Sequence, residues 1–336
     1  MKVLVTGGTG FVGSHVVGAL RSCGHEVRLL ARSREKVDRV MRARGLAVTD
    51  VVQGDMVDPE AVRKSLTGCE AVVHAAAEVG IGRGESVFAS NTAGSRNVLG
   101  SAVALGLDPV IHVSSVAIMF PPPGPVLTVD DPLVSLDTDY GRSKADAERH
   151  ARELQAGGAP VTIIYPSGVY GPGELEIGLS NKGLRDRIKY GWFMTTGGAG
   201  IVDVRDLSAF IAAAIEPGRG PSRFMVGGHF LPWAEEADLC QEITGRRVRR
   251  IPASPRVVRG IGHAVDFIKT VVPTFDYPLT HEASLFVTRF VPCDSRRSIE
   301  ELGVDFRPTR ETLEDSIRWL LETGELAPKF APRLVD

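Results

Sequence analysis

Short apolar runs alternate with amphipathic stretches through the first half of the chain, and most of the runs stop at a turn residue. Strands are predicted at Lys2–Thr6, Glu26–Ala31, residues 49–53, Ala71–His74, Val110–Val113 and residues 161–165. Helical spacing fills the intervals, as at Val12, Val16, Val17 and Leu20, at Pro59–Leu66 and over residues 91–105. Apolar strands joined through helices point to a parallel sheet covered on both faces, so the expected fold class is α/β with a doubly wound sheet. Past Tyr165 the rhythm changes, with Pro166, Gly168, Gly171, Pro172 and Gly173 in close succession. A strand over 201–204, a helix over 207–215 and a strand over 224–226 read as a return to the first domain. From about His229 helices dominate, ending with Thr309–Glu322. The expected division is 1–165 plus about 201–226 for a nucleotide-binding domain. A smaller, discontinuous C-terminal substrate domain takes about 166–200 plus 227–336, with a small-molecule substrate in the cleft.

The first strand runs into Gly7-Gly8-Thr9-Gly10-Phe11-Val12-Gly13, and a helix follows at once. Both Gly8-x-Gly10-x-x-Gly13 and Gly7-x-x-Gly10-x-x-Gly13 spacings are present. Strand, glycine turn and helix together form a Rossmann-type dinucleotide fingerprint. The glycines allow a sharp turn, backbone approach to a pyrophosphate and close packing of helix on strand. The helix start offers unpaired N–H groups and a positive dipole end to phosphates. Thr6, Gly7, Gly8, Gly10, Phe11, Val12 and Gly13 are therefore expected around the cofactor.

An enzyme of this kind that uses NAD places an acid after the second strand, to bond the ribose hydroxyls. Here Ala31 is followed by Arg32, Ser33 and Arg34. The expectation is NADP(H) rather than NAD, with Arg32 as the clamp on a 2′-phosphate and Ser33 or Arg34 assisting. Solvated loop charge is the bland alternative. After the third strand, Asp55 is placed to accept from the adenine amino group and Met56 to lie on the ring. After the fourth, the small Ala75, Ala76 and Ala77 let backbone approach the ribose, and His74 reads as a packed strand residue.

Tyr140-Gly141-Arg142-Ser143-Lys144 opens another helical stretch. A four-residue step puts phenol and ammonium on one face, about 5–6 Å apart at Cβ. A free tyrosine titrates near ~10, and an adjacent cation lowers that value toward useful pH. The phenol of Tyr140 then exchanges a proton with a carbonyl or alcohol oxygen. Ser115, at the end of the fifth strand, donates a hydrogen bond to the same oxygen. Ser114 is expected to turn into the sheet, and Lys144 also to hold the nicotinamide ribose.

The glycine turn, Asp55, His74-Ala75-Ala76, Asn91-x-x-Gly94, Ser115, Tyr140, Lys144 and Gly171-Pro172 together resemble the extended short-chain dehydrogenase/reductase family. The resemblance implies a catalytic Ser115–Tyr140–Lys144 triad. Asn91 resembles a helix asparagine that some relatives use for structure or proton relay, the structural role being the one expected here. Tyr165, Pro166 and Gly168 complete the expected cofactor set. Within the family the chain looks most like bacterial relatives of dihydroflavonol 4-reductase, cinnamoyl-CoA reductase and 3β-hydroxysteroid dehydrogenase. That implies hydride transfer to or from an apolar ketone, aldehyde or acyl-CoA. The alternative is a nucleotide-sugar epimerase or dehydratase, whose members commonly carry an asparagine where this chain has Gly168. A non-catalytic NADP-binding regulator is a third reading, disfavoured because tyrosine and lysine are both present. The resemblance also implies a homodimer.

The substrate wall is expected from residues 79–83, Val116–Met119, Tyr170, residues 192–195 and C-terminal helices, although Trp192, Phe193 and Met194 read equally well as core. Arg205 and Asp206 fit an N-cap or a local ion pair at a strand-to-helix junction.

Composition adds a few limits. A net charge of −2 over 336 residues argues against nucleic acid or an anionic membrane as the main partner. The local cluster Arg246, Arg247, Arg249 and Arg250 reads as a solvated rim. The scattered Cys23, Cys69, Cys240 and Cys293 suggest neither metal site nor disulfide framework. With a strand already at Lys2 and no apolar run of spanning length, no integral membrane segment and a cytoplasmic location are expected. Residues 257–272 read as an amphipathic helix over a core or pocket, a membrane-surface role being the lesser alternative.

Overall fold

The computed structural model describes residues 1–77, 85–134, 139–272, 275 and 279–335, with backbone alone for 85–87, 139, 140 and 282. The first half runs β1 (Lys2–Thr6), α1 (Phe11–Ser22), β2 (Glu26–Ala31), α2 (Arg34–Ala43), β3 (Val51–Gln53) and α3 (Pro59–Leu66). It continues with β4 (Ala71–His74), α4 (Glu85–Ala104), β5 (Val110–Val113), α5 (Asp139–Ala156) and β6 (Val161–Pro166). Then come β7 (Gly168–Tyr170), α6 (Leu179–Tyr190), β8 (Trp192–Met194), β9 (Gly198–Asp203), α7 (Val204–Ala213) and β10 (Ser222–Val226). The chain closes with β11 (His229–Pro232), α8 (Trp233–Thr244), β12 (Arg250–Pro252), α9 (Pro255–Val271), α10 (His281–Arg289), α11 (Arg296–Leu302) and α12 (Thr309–Glu322).

The main sheet has seven parallel strands in the order β10-β6-β5-β4-β1-β2-β3. From β1 the chain winds outward through β2 and β3, then crosses back to β4 and winds the other way. The reversal falls between β1 and β4, and the carboxyl ends of those strands are where such folds bind ligands. Successive residues of a strand face opposite sides. Val3 and Val5 thus join Val16, Val17 and Leu20 of α1 and Phe210 and Ile211 of α7 in one buried layer. Leu4 joins Val62 and Leu66 of α3 and Val98 and Leu99 of α4 in the other.

Local chemistry sets several boundaries. Asp58 accepts from the Glu60 N–H and Pro59 occupies the first turn of α3. Asp203 caps α7 by accepting from the Arg205 N–H at 2.8 Å, so that helix starts earlier than the apolar spacing suggested. The return of the chain after β8 is divided between two sheets. β9 pairs with β7 and β11 in a separate sheet, and it is β10 that joins β6 while α7 packs on α1. A third core, built on Tyr170, Trp192, Trp233, Leu313 and Leu320, lies beneath that small sheet.

Candidate active site

The site begins at the glycine turn. Gly7 has φ +74°, and a Cβ there would stand 2.7 Å from the backbone nitrogen of Ala76. Only a residue without a side chain lets β1 and the end of β4 approach so closely. Gly13 is equally constrained, since its Cβ would meet the Gly7 carbonyl oxygen at 2.2 Å. At Gly10 the sole near contact is that same oxygen at 3.3 Å, and no side chain caps α1. The N–H groups of Phe11, Val12 and Gly13 therefore open on the carboxyl edge of the sheet, as an anion requires. A Cβ at Gly8 would strike the Leu29 side chain at 2.6 Å. Flanked by Ala75 and Ala76, this shallow glycine cradle fits a dinucleotide pyrophosphate.

The Thr6 side chain faces inward. Its hydroxyl is buried and lies 2.7 Å from Nδ1 of His74, whose Nε2 lies 2.9 Å from Ser95 Oγ. The threonine side chain is turned beneath the turn and holds the strand histidine there.

At the far end, Arg32 is largely exposed, with Asp55 Oδ2 at 4.0 Å. Ser33 caps α2, its Oγ accepting from the Lys36 N–H. Arg34 is engaged with Asp38 and the Thr49 carbonyl. Of the two residues expected to assist, one is a helix cap and the other is drawn onto its own helix. Asp55 Oδ1 accepts from the Val57 N–H. Met56 fits against Gly94, where a Cβ would come within 2.5 Å of its Cγ. Asn97 holds the same loop by donating to the carbonyls of Met56 and Val57.

The chemical residues gather where β5 meets α5. Ser115 lies two residues past β5, and its Oγ accepts from the Ala117 N–H at 3.2 Å, starting a short 3-10 turn over Val116–Met119. With that lone pair occupied, the hydroxyl proton is left to donate outward. Lys144 is buried and its Nζ donates to the Val113 carbonyl at 3.4 Å, two residues before Ser115. Burial lowers its pKa to about 8, against an opposing pull from Glu148. Tyr140 lies one turn earlier in α5, but its side chain is outside the described residues. Asn91 of α4 is buried and donates to Ser143 Oγ at 3.3 Å, pinning α5 beside the lysine. The Ser114 hydroxyl is buried without a partner among the described residues.

The Tyr165 side chain faces inward as well. It is fully buried, and its phenol donates to Glu148 Oε1 at 2.5 Å while Arg152 Nε donates to the same oxygen at 2.8 Å. Burial and that carboxylate push the phenol well above the ordinary tyrosine value. Its side chain braces α5. Pro166 closes β6 opposite Val226. Gly168 lies against β9, where a Cβ would stand 2.6 Å from the Gly200 carbonyl oxygen.

Much of the expected substrate wall is core. Val116, Ile118 and Met119 are buried in the second apolar layer, and Tyr170 and Trp192 in the third. Trp192 Nε1 and Arg187 both donate to the buried Glu236. Phe193 and Met194 remain partly exposed, and residues 79–83 lie outside the described residues. Asp203 and Asp206 hold Arg205 and Arg307 in ion pairs, the structural role expected of that junction. Sequence reasoning missed the Glu148–Arg152–Tyr165 network. An acid and an arginine at i and i+4 were its visible trace.

The sequence model of the NAD-dependent epimerase/dehydratase family matches residues 3–227. The chain is 30% identical to sterol demethylase protein B of Methylococcus capsulatus, over 96% of this chain and 99% of that one. It is 26% identical to a putative dihydroflavonol 4-reductase of Synechocystis sp., over 95% and 94% of the two. Among solved structures, gox2253 superposes with a TM-score of 0.79 at 24% identity, covering 96% of this chain and 99% of that one. A UDP-glucose 4-epimerase from Stenotrophomonas maltophila with bound NAD gives 0.76 at 20%, covering 97% and 99%. At such identities these two show the fold.

Proposed function

The chain belongs to the NAD-dependent epimerase/dehydratase family, and from that premise we propose an NADP(H)-dependent oxidoreductase that interconverts a carbonyl and an alcohol on a largely apolar substrate. The observation that carries the reading is the position of Lys144. It is a buried cation held at the Val113 carbonyl, beside Ser115 and one helical turn from Tyr140.

A buried ammonium favours the phenolate of a neighbouring tyrosine more strongly than an exposed one, because little water screens it. In the reducing direction Tyr140 gives its proton to the substrate oxygen, and in the oxidising direction it takes that proton back. Ser115 donates to the same oxygen as charge develops there. The nicotinamide, when bound, supplies or accepts the accompanying hydride. Gly7, Gly10 and the start of α1 would hold its pyrophosphate, and Asp55 and Met56 the adenine. Arg32, with no acid at the end of β2, would pair with the 2′-phosphate. The relatives named as reductases support the same direction of chemistry.

A sugar-nucleotide substrate is disfavoured at Gly168. The Gly200 carbonyl oxygen occupies the space that an asparagine side chain would need to leave the backbone. The test is NADPH oxidation against a panel of apolar ketones, aldehydes and acyl-CoA thioesters, with UDP-sugars alongside. Consumption of NADPH with an apolar carbonyl is expected. Conversion of a UDP-sugar without net cofactor consumption would replace this reading with an epimerase.

A further inference from the structure

α9 is fastened along one side only. Gly262 lets α10 approach until a Cβ there would meet the His281 Cα at 2.8 Å, Asp266 accepts from the His281 N–H, and Val258 and Val265 are buried. An adjoining strip presents Val257, Ile261, Phe267, Ile268, Val271 and Val272 to solvent, Phe267 being 70% exposed and Val271 66%. These are nearly half of the large hydrophobic side chains exposed among the described residues.

The charge around that face is one-sided. Between 246 and 275 the sequence has seven Arg and Lys against a single Asp, in a chain whose net charge is −2. Arg250 pairs with Asp238 and Arg246 lies over Phe330. Arg247, Arg249 and Arg256 are exposed, with no ion pair among the described residues. An apolar stripe beside cations is the pattern of a helix lying in a lipid interface. At 17 residues α9 is about 25 Å long, and no described helix is long and apolar enough to cross a membrane. A phosphate-bearing surface complements both the stripe and its rim.

We propose that the exposed apolar strip of α9, with Arg256 at its start, seats the protein on the surface of an anionic phospholipid bilayer. The assignment is independent of the reaction proposed above, because it uses none of the residues of that site.

The test is flotation of the full chain with vesicles of phosphatidylcholine alone and of equal parts phosphatidylcholine and phosphatidylglycerol. Wild type should float with the mixed vesicles and be released by high salt. Phe267→Glu should lower partitioning more than tenfold, and Arg256→Ala by roughly fivefold. Phe267→Trp should show a blue-shifted emission on mixed vesicles, which reads insertion without removing the apolar side chain. Failure of wild type to float, or flotation unchanged in Phe267→Glu, would overturn the proposal. So would a lipid-free dimer that Phe267→Glu converts to monomer, since the face would then be a contact between copies.

Discussion

His74 and His112 stand opposite each other on β4 and β5, their rings stacked with centroids 5.7 Å apart. Both are buried at the floor of the candidate site. His74 is held by Thr6 and Ser95, whereas neither ring nitrogen of His112 has a hydrogen-bond partner among the described residues. Burial, with Lys144 nearby, brings His74 down to about 3 and leaves His112 well below the ordinary histidine value.

An acid-labile fold follows. The unfolded chain binds a proton on His74 near 6.5 and the folded chain does not until about 3, so stability present above 6.5 is lost as pH falls through that window, and the lowered His112 acts in the same direction. Urea unfolding at a series of pH values should show a loss of several kcal/mol, reduced in His74→Gln after allowing for its lower starting stability. A flat profile across the window would contradict the burial argument.

Lys144 gives a slope of the same sign at alkaline pH. Its folded pKa of about 8 lies below the ordinary 10.5, so the folded chain releases this proton first. The penalty for burying the charge therefore disappears as pH rises between those values. Relative to Lys144→Met, wild type should gain about 3 kcal/mol of unfolding free energy across that range. Paired denaturation curves for the two proteins provide the check.

Replacing Tyr140 by Phe removes the proton carrier and leaves the glycine cradle untouched. Turnover should fall at least a hundredfold, within the ~10²–10⁴ range for a general acid or base. NADPH binding, followed by fluorescence titration, should change less than twofold. Undiminished turnover would remove Tyr140 from the chemistry.

Arg32→Glu tests cofactor choice. If the guanidinium pairs with a 2′-phosphate, the substitution should raise the KM for NADPH by about ten- to a hundredfold. The KM for NADH should hold steady or fall. Equal effects on both cofactors would return Arg32 to the status of a solvated loop charge.

Gly13→Ala tests the cradle itself. The added methyl meets backbone, the Gly7 carbonyl oxygen at 2.2 Å, which cannot swing aside. A loss of about 1–3 kcal/mol in stability is expected, together with loss of dinucleotide binding. Gly124→Ala is the control, since nothing lies within 4 Å of a Cβ there and its φ is outside the left-handed region.

Local pattern carried most of the main sheet. β1, β2, β4 and β5 fall where the apolar runs put them, and the glycine turn, Ser115 and Lys144 could be named from spacing and order alone. Those features are short-range: a run of strand formers, a helix one turn long, a turn that excludes side chains. What the sequence could not decide is which apolar or aromatic side chain faces a pocket and which faces another element. Val116, Ile118, Met119, Tyr170 and Trp192 have the composition of a substrate wall and are core, because layers distant in sequence close over them. Tyr165 carries a polar hydroxyl suited to a ligand, yet Glu148 and Arg152 of α5 capture it. Likewise β9 has the residues of any buried strand. Only its partners, β7 and β11, place it outside the main sheet. Sequence fixes what each segment can pair with, and the tertiary fold selects among those partners by which one lets the remaining surface be buried.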